Sequence, residues 1–417
     1  MLDAYIYVVK PIIFSYNIYG AVVFLRKPLT IERKGDIIMI PNNNRGVIML
    51  KRFEVENFKG FENNIVLDLS AREYAFNKNM VVNNVVNKAI IYGKNGVGKS
   101  SLGIAIFDIV GHLTDKERMP ARCLINYLNL KSKKPHAIFK YTFQFDDDVV
   151  VYEYAKRDPN NLIYEKLIIN DQIVIEYDFF DPNVRYLDKS IVGELNIELI
   201  DNKLSVLKYI YRNTPTNVSS PMTKMMQFVD NMLWYRSLSE GNMYCGFSVG
   251  GSILADKLYE SGKIRDFEKF LKDNGLDYKL DFVNFNGTHE LVAVYEESKK
   301  IAPFISLAST GTMALFLFYI WHISAFEEIS FLFIDEFDAF LHYESAENIV
   351  LQLNKNRRFQ TILTSHNTYL MQNRLTRPDC CYIMTSEKIA NLFDSTDKEI
   401  REAHNLEKMY INGVFNA

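Results

Sequence analysis

Residues 91–101 read IYGKNGVGKSS. Gly93, Gly98, Lys99 and Ser100 stand at the G-x-x-x-x-G-K-[ST] spacing, after an apolar run (AIIY) that predicts a strand and before LGIAIFDIV, which predicts a helix. Strand, glycine-rich loop and helix in that order make a phosphate cradle. Gly93, Gly96 and Gly98 let successive backbone N–H groups turn inward, and the helix N-terminus that follows adds the positive end of its dipole. Lys99 supplies a mobile charge for the β- and γ-phosphates, and Ser100 a hydroxyl for Mg²⁺. Asn95 and Ser101 complete the predicted ATP-binding set.

A cradle of this kind needs an acidic strand beside it. The stretch FLFIDEFDAFLH (331–342) begins with four apolar residues that predict a buried parallel strand, and its C-terminal end presents Asp335 to the metal. Glu336 follows, placed to orient or deprotonate an attacking water. Asp335 comes 236 residues after Lys99 (335 − 99), so a large insertion separates the two motifs. The earlier acidic stretch QFDDDVVVYEY puts its carboxylates before the apolar run, the wrong polarity for metal binding, and no N-K-x-D base-reading motif is present.

The wide separation resembles that of the ABC-type ATPases of the RecF, SMC and OLD group, and two further motifs carry the resemblance. SLASTGT (306–312) opens the predicted helix MALFLFYIWH and resembles the group's degenerate signature, with Ser309 and Gly311 at its serine and second glycine; Ala308 and Thr310 depart from it. The strand TILTSHN ends in His366, at the position of the group's switch histidine, which contacts the γ-phosphate and helps hold the attacking water. Asp338 resembles the residue at the dimer seam, and Gln144 in YTFQF is the candidate Q-loop glutamine and a further metal contact. MLKRFEVENFKGF (49–61) resembles the natural first strand of such a head, and REAHNLEKMYINGVF (401–415) the closing segment of abortive-infection ATPases.

The resemblance implies an α/β P-loop head of ABC type: a mixed, mostly parallel core sheet with flanking helices and an antiparallel β subdomain, carrying an inserted helical lobe. The expected organisation is an N-terminal extension at 1–48, lobe I at 49–184, a helical insertion at 185–275 and lobe II at 276–417. Alternating apolar segments over 136–180 predict the antiparallel sheet. LSVLKYIYRN, MTKMMQFVDNMLWYRSL and KIRDFEKFLKDNGL predict helices, with no heptad pattern long enough for a coiled-coil arm. Trp234, Tyr235, Arg236 and nearby methionines are a candidate partner surface, although such stripes more often form core.

The 417 residues, 48% hydrophobic and 24% charged with net charge −3, fit a folded protein of two or three lobes without a global basic field for nucleic acid. Four cysteines without C-x-x-C pairing suit reduced thiols and a cytoplasmic setting. PIIFSYNIYGAVVFL (11–25) is short for a membrane span, so the extension reads as a weak anchor or, preferably, an upstream translation outside the domain. The resemblance implies a homodimer that holds two ATP and Mg²⁺, each ATP between the P-loop of one subunit and Ser309 of the other. Two functions follow from it: gating a separate effector, a nuclease or toxin, in anti-phage defence, or, as the alternative, DNA repair of the RecF kind with DNA as partner. A transporter subunit is disfavoured by the loose signature and long spacing. A nuclease domain within the chain is not expected.

Overall fold

The computed structural model describes residues 48–116, 119–192, 195, 201–215, 217, 220–238, 241–247, 254–285 and 288–415, all within one unit, Arg45–Ala417. The N-terminal extension, apart from its last residue, therefore lies outside the described residues. The fold is α/β. Its centre is a seven-stranded sheet in the order Gly241–Gly246, Met232–Leu238, Phe331–Asp335, Gln360–Ser365, Lys88–Tyr92, Cys381–Met384, Ile389–Asn391. The inner five strands run parallel and the two edges antiparallel.

The inner strands carry apolar runs such as FLFI, AIIY and MLWY because both faces are covered. FLFID and KAIIY are buried at every position. Side chains alternate between two cores: Phe331, Phe333 and Ile362 enter one, while Leu332, Ile334 and Leu363 enter the other. The first core also receives the P-loop helix (Lys99–Ile106) and a second seven-stranded, wholly antiparallel sheet spanning Ile48–Glu56, Ile65–Asp68 and the strands between Ala137 and Leu187. The predicted alternation is visible there: AIFKYTFQF is buried at every second residue. The other core receives the signature helix (Thr310–Ser324) and Ile264–Asp273.

One stretch read as helical divides in two. MTKMMQFVDNMLWYRSL forms a helix only over Pro221–Asp230, capped by the Ser220 hydroxyl, and then the strand Met232–Leu238. Helix spacing ends at Val229. The run MLWY that follows is buried on both faces, with Trp234 in one core and Leu233 and Tyr235 in the other. Trp234 is 1% exposed and Tyr235 3%, and Met222, Met225 and Met226 are buried, so this stripe is core and not a partner surface. Cys381–Met384 lies inside the sheet, paired on its outer side by Ile389–Asn391.

Candidate active site

The P-loop strand ends at Tyr92, and the chain turns through two left-handed glycines, Gly96 (φ 81°) and Gly98 (φ 109°), into the helix beginning at Lys99. A side chain at Gly98 would stand 2.7 Å from the Phe61 ring, and one at Gly93 2.6 Å from the Met384 carbonyl oxygen. The cradle is therefore wedged between the first strand's loop and the neighbouring strand. Lys99 Nζ folds back onto its own loop, donating to the carbonyls of Gly93 (2.6 Å) and Lys94 (3.1 Å), and lies 3.1 Å from His366 Nδ1. Burial pushes the Lys99 ammonium below its ordinary value, against the charges of Glu336, Asp335 and Asp338.

Asp335 ends the acidic strand fully buried. Thr364, one strand over, donates from Oγ1 to Asp335 Oδ1 (2.9 Å) and accepts from the backbone N–H of Glu336 (2.7 Å), so one hydroxyl sets both acidic residues. Burial pushes the Asp335 carboxyl above its ordinary value, opposed by the nearby Ser100 hydroxyl, the Arg236 charge and the Thr364 bond. Glu336 takes a left-handed backbone (φ 50°), which breaks the strand and turns its side chain toward His366, whose Nε2 lies 3.7 Å from Glu336 Oε1. Glu336 also pairs with Arg236 Nη2. Asp338 is buried, accepting from Ser365 Oγ (2.7 Å) and Asn367 Nδ2 (2.9 Å), and burial raises its carboxyl as well.

Lys99, Ser100, Asp335, Glu336 and His366 thus meet at the C-terminal ends of three adjacent parallel strands. These residues fit a magnesium ion. Asp335 Oδ2 is a buried carboxylate oxygen with no hydrogen-bond partner, and the Ser100 hydroxyl is close enough to favour the ionised form of the same carboxylate. Asn95 is exposed on the loop, and Ser101 lines a cleft with Lys59, Asn63, Asn126 and Lys131.

Ser309 and Gly311 stand apart. Ser309 caps the signature helix, accepting from the Thr312 N–H at 3.2 Å, and Gly311 packs on the loop after Glu336, where an added Cβ would meet the Phe340 carbonyl oxygen at 2.5 Å. Among the described residues no hydrogen bond or ion pair joins either to the P-loop.

Gln144 is not at the site. Its Oε1 accepts from Lys51 Nζ and its Nε2 donates to the Asp146 carbonyl, on the antiparallel sheet. Its strand partner is Met49, and the next residue, Leu50, donates to Gln360 Oε1. Gln360 opens the strand that ends at Ser365, just before His366, so Gln144 lies near the end of that strand opposite the one beside Asp335 and Glu336. The residue that the fold does bring beside Asp335 is Arg236, directly across the parallel register, with Nε 3.5 Å from Asp335 Oδ2. Sequence reasoning missed it. The available signal was a charged residue closing the apolar run MLWYR, the pattern of FLFID itself.

The sequence over residues 88–372 matches the family model described as "AAA domain, putative AbiEii toxin, Type IV TA system". The chain belongs to this AAA-domain family. No curated protein matches it. Among solved structures, this AAA-domain chain is similar to an SMC head domain with an extended coiled coil bound to the C-terminal domain of ScpA, derived from Pyrococcus furiosus, at 16% identity over 83% of this chain and 97% of that one, with a TM-score of 0.44. It is similar to the SMC head domain from Thermotoga maritima at 14% identity, covering 82% and 98%, with a TM-score of 0.38. It is also similar to the recombination mediator RecF bound to ATP, at 12% identity, covering 83% and 99%, with a TM-score of 0.37. No helix among the described residues is long and apolar enough to cross a membrane.

Proposed function

We propose that this chain binds and hydrolyses Mg²⁺–ATP, that two copies pair around two nucleotides, and that the pair gates a separate effector, a nuclease or toxin, in anti-phage defence in the cytoplasm. The observation that carries the reading is the separation of two half-sites. Lys99, Ser100, Asp335, Glu336 and His366 converge, whereas among the described residues no hydrogen bond or ion pair joins the Ser309 cap to the P-loop. A second copy placed head to tail would bring its Ser309 turn over the first copy's phosphate cradle. Ile305, Leu307, Phe340 and Tyr343, which flank that turn and the loop beneath it, are exposed large apolar side chains suited to such a seam.

Lys99 and the loop N–H groups would bind phosphate oxygens, and Ser100 and Asp335 would hold Mg²⁺, which neutralises phosphate charge when bound. Glu336, steadied by His366, would accept the proton of the attacking water. Loss of the γ-phosphate would remove contacts that join the two copies and let them separate. The defence part of the reading draws on the family's description, which applies the name AbiEii toxin of a type IV toxin–antitoxin system to the AAA-domain family itself; the separate effector is our own inference.

The test combines sizing and capture. Glu336→Gln with Mg²⁺–ATP is expected to elute as a stable dimer or larger assembly with little turnover, and Lys99→Ala as the form seen without nucleotide. Normal turnover by Glu336→Gln sinks its assignment. Tagged wild type taken from its native host is expected to bring down a small effector that changes with Lys99→Ala; DNA without any protein effector would replace the gating reading with a recombination role.

A further inference from the structure

Arg236 was not among the residues that the phosphate chemistry called for, yet its guanidinium touches both acidic residues of the site. Two of its features are unusual. Its Nε is buried without a hydrogen-bond partner, and so is the atom that it faces, Asp335 Oδ2, 3.5 Å away. A charge-assisted bond between such groups closes to about 2.8 Å. The fork is instead drawn to the other carboxylate, where Nη2 pairs with Glu336 Oε2. The strand carrying Arg236 pairs in parallel with the acidic strand over five residues, so the backbone fixes where the arginine starts, and its side chain remains about a quarter exposed.

A guanidinium in that place does two things. It holds one Glu336 oxygen while the other points at His366 Nε2, which selects a single carboxylate orientation. It also sets a permanent positive charge against the face of Asp335 that a cation would use. We propose that Arg236 is a positioning residue that fixes Glu336 and competes with the divalent cation for Asp335, so that an arginine on the neighbouring strand sets the metal affinity of the site. This rests on the reading of the site as one for Mg²⁺–ATP.

The direction of the effect follows from Coulomb's law. A unit charge and a dication about 6 Å apart repel by about 1.4 kcal/mol even at the dielectric of water, which is about tenfold in affinity. The test is an electron paramagnetic resonance titration of Mn²⁺ into the full chain saturated with the non-hydrolysable analogue adenylyl-imidodiphosphate. Arg236→Gln is expected to bind Mn²⁺ about tenfold more tightly than wild type. Arg236→Lys, which keeps the charge but loses the fork, is expected to keep the wild-type metal affinity while kcat falls at unchanged KM. Unchanged or weaker Mn²⁺ binding by Arg236→Gln overturns the proposal; a merely structural arginine would not tighten the site on removal. Should Arg236→Gln fail to fold, the lysine variant decides: a kcat equal to wild type, or a loss of metal affinity, overturns it. Wild type that holds no Mn²⁺ beyond that of the free analogue would instead refute the Mg²⁺–ATP reading, a distinct result.

Discussion

Gly311→Ala puts two physical effects in opposition at the junction of the Ser309 turn and the loop that follows Glu336. Gly311 lies in the first turn of the helix Thr310–Ser324, where alanine in place of glycine ordinarily stabilises by about 0.5–1 kcal/mol. Here the new methyl would stand 2.5 Å from the Phe340 carbonyl oxygen, a backbone atom that cannot rotate aside. Overpacking of this kind costs about 1–3 kcal/mol, so the net change in stability is a loss of roughly 0–2.5 kcal/mol. Relief requires the loop to move by roughly 0.5–1 Å. That loop is a short series of turns, with Ala339 N–H bonded to the Glu336 carbonyl and Leu341 N–H to the Asp338 carbonyl, so a shift at Phe340 reaches Glu336. Misplacement on this scale costs a catalytic group up to about 100-fold. The expected outcome is a small fall in melting temperature together with a 10- to 100-fold fall in kcat, about 1.4–2.7 kcal/mol of barrier. Thermal melting and ATP turnover at saturating Mg²⁺–ATP read the two quantities on one preparation. Turnover within twofold of wild type, with an unchanged or higher melting temperature, would refute the coupling between the turn and the loop.

The buried Asp335 predicts a trade of stability against function. Burial raises its folded-state value above the ordinary carboxyl value, so the neutral form is favoured on folding; that contribution is fully present below about pH 4 and is lost as pH rises through the raised value. Asp335→Asn is therefore expected to melt higher than wild type at pH 7, by about 1–3 °C, while losing metal-dependent ATP turnover, and a lower melting temperature at pH 7 would contradict this. A second prediction concerns the helix after the P-loop helix. Asp108 there accepts from Lys156 Nζ (2.5 Å), Tyr154 OH (3.0 Å) and Tyr127 OH (2.9 Å), which ties it to the antiparallel sheet. Lys156→Met leaves the buried carboxylate without its cation and is expected to cost about 3–5 kcal/mol in urea denaturation, with Lys156→Met/Asp108→Asn recovering part of it; a loss below about 1 kcal/mol would show that the tyrosines suffice.

Chemistry written in consecutive residues was legible from the sequence. The glycines and Lys99 need only a strand before them and a helix after, and Asp335 with Glu336 needs only the end of an apolar run. Local hydrogen bonding and backbone sterics enforce both, so the P-loop, the acidic strand, His366 and the alternating antiparallel strands all appear where expected. The helical reading of MLWYRSL failed because burial on both faces removes the periodicity that separates strand from helix. Gln144 failed because its place depended on which end of which sheet it occupies, information that no local pattern holds.

What only the tertiary structure decided are pairings between residues far apart in the chain. Arg236 meets Asp335 through parallel register, Thr364 reaches across to both acidic residues from the next strand, and Gly311 closes on the Phe340 carbonyl. Such contacts are set by strand order and by packing between two cores, and a one-residue slip in any strand would turn each side chain to the opposite face. The sequence by itself determined that phosphate could be bound. The fold determined which carboxylate faces which cation, because register, and not residue type, sets those distances.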